Sequence, residues 1–405
     1  MQAISRQHRR STRTVLRARS ARPATVLAAL AVTALLSANA AAQDRVHPDQ
    51  VHTRNKRTGR VTIVTGTVQT DGLEEVVVLG ARETETKLHG DEVESIVWGD
   101  VPPSFRDGRT YFDRENWTKA AEEYRLAAGD ASARDVVKAV ARLRAARALL
   151  HSGAQTPAHF NEAVLEARSF LTEYPQNREV PEARMIEARA LLLAGKPEEA
   201  GAAWQGVFSE FSGDGPTPGY EPALCMEAGL QAARAMLAAN DTLAAREILT
   251  ALDTAIGPMI ASLDDGTPLK ARLVAIQEEA LLGDGFAELA AGNSKPALAF
   301  FQNKLTGAGE GASTTHRMVA SLGLAEAMFA EGQYLEAEFL FAKVSALDHG
   351  SADRVALAEL RMAQCELKLQ HADSKERART LLESVVSDHG DTPAAAQARE
   401  MLTSL

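Results

Sequence analysis

The sequence predicts a mainly α protein: a solenoid of about seven stacked helical hairpins preceded by a small β module. Three observations point there. Between Gly108 and Leu405 a small residue is followed three positions later by an apolar one, and an alanine then opens a second apolar stripe at helical spacing. Such recurrence marks stacked hairpins, because one hairpin cannot bury its apolar face alone. Aromatic residues are only 5% of the chain, and its abundant alanine suits closely packed helix pairs better than a β-sandwich. Short β-branched runs are confined to one stretch ahead of the repeats.

The first 24 residues hold seven arginines (Arg6, Arg9, Arg10, Arg13, Arg17, Arg19 and Arg22) and no acid. An apolar run from Thr25 to Leu36 and a small-residue stretch from Ser37 to Gln43 follow. A basic start, a short apolar core and small residues make the layout of a secretory signal over residues 1–42, with cleavage fitting after Ala40 or Ala42. The apolar run is shorter than the roughly 20 residues that span a bilayer, so no transmembrane segment is expected once the signal is removed. Arg9-Arg10 lacks the apolar residues that a twin-arginine signal carries just after the pair. The mature chain is therefore expected outside the cytoplasm, periplasmic or extracellular. Losing seven cations takes the formal charge from −10 to −17. A field that negative repels phosphate backbones, which argues against nucleic acid as a partner.

Residues 43–60 are polar and basic without periodicity and read as a flexible leader. Residues 61–101 read as a β-rich module. Its runs are Val61 to Gln69, Glu75 to Leu79, Thr84 to Leu88 and Val93 to Trp98, with Asp71-Gly72 and Gly80 at the turns. A unit that small is expected to pack on the first repeat. Pro102-Pro103 opens the helices, and residues 102–405 form the solenoid.

The clearest repeats are Gly108/Tyr111 with Ala120/Tyr124/Ala127, Ala188/Leu191 with Ala200/Trp204/Val207, and Ala325/Met328 with Ala337/Phe341/Val344. Ala233/Met236 with Ala245/Leu249/Leu252 and Gly285 with Ala297/Phe301 share the register. Ala146/Leu149 with Ala163/Ala167/Phe170, and Ala363 with Ala378/Leu382/Val385, fit with longer internal loops. Turns are expected at 114–116, 195–197, 240–242, 292–294 and 332–333. Thr392 to Leu405 reads as a capping helix, which covers the last apolar face.

This motif resembles the tetratricopeptide repeat, with its small residue, later aromatic, alanine and aromatic of the next helix, and closing proline. Phe170-Leu171-Thr172-Glu173-Tyr174-Pro175 and Pro181-Glu182-Ala183 resemble bacterial periplasmic members of the Tol–Pal coordinator and outer-membrane assembly type. The likeness spans about three quarters of the chain. It departs in spacing: the second-helix alanines recur every 37 to 45 residues, with 52 between Ala245 and Ala297, against the usual 34. A closing proline stands only at Pro175. The resemblance implies a non-enzymatic scaffold that binds a protein or peptide on its concave face, with an assembly part of a cell-envelope complex as the alternative; an enzyme would require an unrecognised site in the β module or a groove.

Arg109, Arg147, Arg189 and Arg234 each follow the small packing residue of a first helix. In tetratricopeptide superhelices the first helices line the groove, so these four are candidate partner-binding residues that would grip carboxylates of an acidic segment bidentately. The competing reading pairs each with an acid of a neighbouring helix, such as Glu182 or Glu187. Phe286 and Glu326 replace the arginine in the fifth and sixth repeats.

No cofactor, metal or catalytic group is expected. Asp348-His349-Gly350 and Asp388-His389-Gly390 match no zinc spacing and read as helix ends closed by glycine. Gly307 to Gly311 lacks the lysine and serine of a phosphate loop and reads as a linker. Cys225 and Cys365 lie on distant repeats and read as buried thiols, not a disulfide.

Overall fold

The computed structural model describes residues 47–55, 59–212, 215–309 and 312–405. The expected signal and the start of the leader lie outside the described residues. Strands β1 (Asp49–Arg54), β2 (Val61–Asp71), β3 (Glu75–Leu79), β4 (Glu85–His89) and β5 (Val93–Val97) form an antiparallel sheet ordered β4-β3-β2-β1-β5. The eleven-residue β2 serves two neighbours: residues 61–66 pair with β1 and residues 67–71 with β3. A register break between Val68 and Thr70 curls the sheet there. Gly66 sits at the crossover, where a Cβ would lie 2.5 Å from the Leu79 carbonyl oxygen. Val51, Val68, Val76, Val78, Val93 and Ile96 fill the curl.

The leader expectation fails at β1, which is an interior strand between β2 and β5. Its inward residues are Asp49, Val51 and Thr53, while Gln50 and Arg54 are exposed. With one aliphatic side chain in six residues, the strand has almost no hydrophobic pattern to read. Its stability comes from pairing on both edges.

The β module is held by two ion pairs whose carboxylates are buried. Arg134 donates to both Asp49 oxygens at 2.8 Å, and these also accept the Val68 and Gly99 amides at 2.8 and 2.7 Å. Arg178 donates to Asp71 at 2.8 Å, beside a Leu73 amide bond to the Gln176 carbonyl of 2.9 Å. Burial pushes the Asp71 carboxyl above its ordinary range in spite of Arg178. Arg134 and Arg178 flank the second hairpin, so the polar clamps fall there and not on the first.

The helices form seven hairpins: α1/α2 (Pro103–Asp113, Trp117–Gly129), α3/α4 (Asp135–Ser152, Ala158–Glu173), α5/α6 (Val180–Leu193, Pro197–Phe208) and α7/α8 (Pro222–Ala238, Thr242–Ser262) come first. The fifth has a two-piece first helix, α9 (Pro268–Ala280) and α10 (Gly283–Ala290), before α11 (Ser294–Gly307). Then come α12/α13 (Thr314–Ala330, Tyr334–Leu347), α14/α15 (Ala352–Leu369, Ser374–Asp388) and the cap α16 (Pro393–Ser404). A two-residue ribbon, β6 (Phe211–Ser212) and β7 (Gly215–Pro216), sits between α6 and α7. The long α8 and the extra helix α9 account for the 52-residue interval.

Five hairpin turns share one device. Glu115, Gly195, Asn240, Gly292 and Gly332 take φ between 58° and 79°. The next amide reaches back to the carbonyl of Tyr111, Leu191, Met236, Glu288 or Met328 at 2.8 to 3.0 Å. That bond is the six-to-one closure of a Schellman motif, which ends a helix while satisfying a stranded carbonyl. Each turn then drops a second helix with a large buried side chain, aromatic in four (Tyr124, Trp204, Phe301 and Phe341) and Leu249 in the helix after Asn240. Gly350 and Gly390 do not repeat the device, since neither has positive φ.

Candidate functional site

The four candidate arginines all sit on first helices, as the register requires, but their surroundings differ. Arg109 on α1 is 63% exposed, with Asp113 one turn along at 3.9 Å. Arg147 on α3 pairs closely with Glu182 of α5, whose carboxyl burial pushes up in spite of that partner. Arg189 on α5 donates two bonds of 2.7 Å to Asp353 at the start of α14, and a third of 2.9 Å to the Asp391 carbonyl. Arg234 on α7 pairs with Glu279 of α9, which also accepts from Arg354 at 2.9 Å. Arg354 in turn holds the Asp348 carboxylate through two bonds. Burial opposes ionisation of Asp348, but the Arg354 fork and the Gly350 amide outweigh it and hold the group below its ordinary range.

The row is therefore not one continuous ladder. Arg109 lies toward open solvent, whereas the other three are each paired with an acid of another helix: Arg147 with Glu182, Arg189 with Asp353 and Arg234 with Glu279. The engagement at Arg189 spans 164 residues of sequence and closes the superhelix on itself. The cap α16 packs on α5, and Arg399 donates to the carbonyls of Ala154 and Gly390. Gly390 fits at this seam for lack of a side chain: its Cβ would lie 3.1 Å from that of Ala154. Sequence reading missed Asp353, Asp391 and Arg399, since nothing in the repeat pattern marks an acid on the seventh hairpin as the partner of an arginine on the third.

Inside the closed turn lies a cavity of about 440 Å³, lined chiefly by apolar side chains such as Leu192, Leu230, Phe286, Val319, Leu322 and Leu360. Seven hairpin helices and the cap surround it: its walls come from α5, α7, α8, α9, α10, α12, α14 and α16. A more open groove of about 1,010 Å³ runs between α6 and α8 on the second-helix side, lined by Phe208, Ile248, Pro258 and Met259, with Glu247 its one titratable group. Further ion pairs stitch adjacent second helices, as Arg125 does with Glu162 and Glu166 at 2.9 and 2.7 Å.

Among the described residues, no group of three or more His, Cys, Asp or Glu side chains is placed to hold a metal ion. Cys225 and Cys365 are unpaired and buried, and burial pushes each thiol up to about 12. No helix among the described residues is long and apolar enough to cross a membrane.

No family model and no curated protein matches this chain. One solved structure similar to it is a tetratricopeptide repeat protein from Parabacteroides merdae ATCC 43184. It is 14% identical, covers 74% of this chain and 96% of that one, and superposes with a TM-score of 0.45.

Proposed function

We propose that this chain is an exported, non-enzymatic scaffold that binds a protein partner through an acidic segment at the N-terminal end of its inner face. The observation that carries the reading is the state of the arginine row. Arg109 is 63% exposed, and Arg147 is paired with a Glu182 that is itself 36% exposed, so a partner's carboxylates reach Arg109 directly and reach Arg147 by displacing Glu182, without opening the superhelix. Arg189 and Arg234 are committed to internal acids and shape the scaffold. Guanidinium forks hold carboxylates bidentately, and a local positive stripe persists on an acidic protein because distant charges are screened over about 8 Å. The basic and apolar leader supports export.

Crosslinking with mass spectrometry in the native organism, comparing the wild type with Arg109→Gln/Arg147→Gln, tests both halves of the proposal. The wild type should yield a recurrent partner linked near α1 and α3 through an acidic stretch. The double variant should lose most of that linkage, with an unchanged helical spectrum. Equal linkage in the variant would remove these arginines from recognition, and a full-length chain retaining residues 1–24 in a soluble cytoplasmic pool would remove export.

A further inference from the structure

We propose that the cavity inside the closed superhelix is a binding site for a neutral, apolar small molecule with one hydrogen-bonding head, of the fatty-alcohol class. The inference is independent of the partner site on α1 and α3, because the two use different residues.

Size comes first. At about 440 Å³ the cavity falls within the range of small-molecule sites, roughly 300–1,000 Å³. It has room for about 15 non-hydrogen atoms at ~30 Å³ each, the share of liquid volume that one water takes. A folded partner or a helix does not fit while the Arg189–Asp353 seam is closed.

The lining decides polarity. Leu192, Leu230, Phe286, Val319, Leu322 and Leu360 present aliphatic and aromatic surface from five helices. Apolar cavities hold water poorly and take up apolar guests.

Charge at the wall then decides between a neutral and an ionised guest. The charged groups on the wall and their direct partners are four guanidiniums, Arg189, Arg234, Arg354 and Arg361, and four carboxylates, Glu279, Glu326, Asp348 and Asp353. They are matched one for one: Arg361 donates to Glu326 at 2.7 Å, and the other pairs are those described above. An anionic headgroup would enter with no uncompensated cation to meet it and would lose its hydration, which is unfavourable in an apolar surround. A hydroxyl has partners. Gln231 and Gln397 line the cavity, and the Gln231 amide nitrogen is oriented by Glu227 at 2.9 Å, leaving its carbonyl oxygen as an acceptor.

Isothermal titration of the full chain with 1-decanol and, separately, with decanoate at pH 8 tests the proposal. Decanol should bind saturably at one site per chain, and decanoate at least tenfold more weakly. Val319→Phe, and independently Ala394→Phe on the cap, place a ring in the cavity and should each weaken decanol at least tenfold. Circular dichroism identifies which of the two variants folds, and a folded one is read. Absence of saturable decanol binding, decanoate binding as tight as decanol, or undiminished binding in a folded filled variant would each overturn the assignment.

Discussion

Arg189→Gln probes the contact that turns an open solenoid into a closed one. Three hydrogen bonds converge on this guanidinium, two of 2.7 Å to the Asp353 carboxylate and one of 2.9 Å to the Asp391 carbonyl. Hydrogen bonds to charged groups contribute about 1.5–3 kcal/mol each when well buried. Here the side chains retain 26% and 35% exposure, and exposed ion pairs contribute only about 0–1 kcal/mol. The closure contact falls between these limits, at about 1–2 kcal/mol. Glutamine cannot form the fork, and Asp353 is exposed enough for water to replace it, so no buried orphan charge inflates the loss. A change of 1–2 kcal/mol lowers the closed-to-open ratio by about 5- to 30-fold. Hydrogen exchange reads that ratio locally, since an undocked terminal helix exchanges without global unfolding. Peptides covering residues 389–404 should exchange about 5- to 30-fold faster in Arg189→Gln, with those from α12 and α13 unchanged. Adding Asp353→Asn should have little further effect, because both substitutions remove the same contact. Unchanged exchange over residues 389–404, or additive effects of the two substitutions, would refute the closure.

Trp204 is 2% exposed, and its indole nitrogen has no hydrogen-bond partner among the described residues. Trp204→Ala should therefore cost about 3–5 kcal/mol in guanidinium unfolding, and Trp204→Phe less than about 1.5 kcal/mol because it removes an unpaired donor. A loss below about 1 kcal/mol for the alanine would place the ring outside the core. With both thiols pushed up to about 12 by burial, about one in ten thousand is ionised at pH 8, and the thiolate is the reactive form. A disulfide reagent should leave the native chain unlabelled and count two thiols after denaturation, whereas native labelling at the rate of a free thiol would contradict that burial. Asp348 is held low as described, and the Arg377 hydrogen bonds hold Glu366 below its ordinary range against the opposing effect of burial. Carboxyls whose folded pKa is depressed add stability above the unfolded value of about 4 and lose it as pH falls through the folded one. Urea midpoints should thus drop between pH 6 and pH 3 less steeply in Glu366→Gln than in the wild type. Parallel slopes would remove Glu366 from the acid response.

What the sequence determined by itself is what short-range forces control. Helical periodicity placed the hairpins, and the turn residues at 114–116, 195–197, 240–242, 292–294 and 332–333 placed their ends, because a left-handed residue and a back-reaching amide act within six positions. The burial of Tyr124, Trp204, Phe301 and Phe341 followed from the same register. The β module was legible except for β1, whose inward face carries Asp49 and Thr53 beside a single valine. The arginine row was legible as a set of positions on first helices, but its electrostatic roles were not. Whether Arg189 meets solvent or Asp353 depends on the small rotation each hairpin adds to the next, summed over the four steps from the third hairpin to the seventh, and no local pattern carries that sum. Only the tertiary structure decided that the cap returns to α5, that Arg189 and Arg234 are engaged within while Arg109 stays exposed, and that an apolar cavity is left inside the turn. Side-chain propensities act over one helical turn, whereas closure is a property of the whole superhelix.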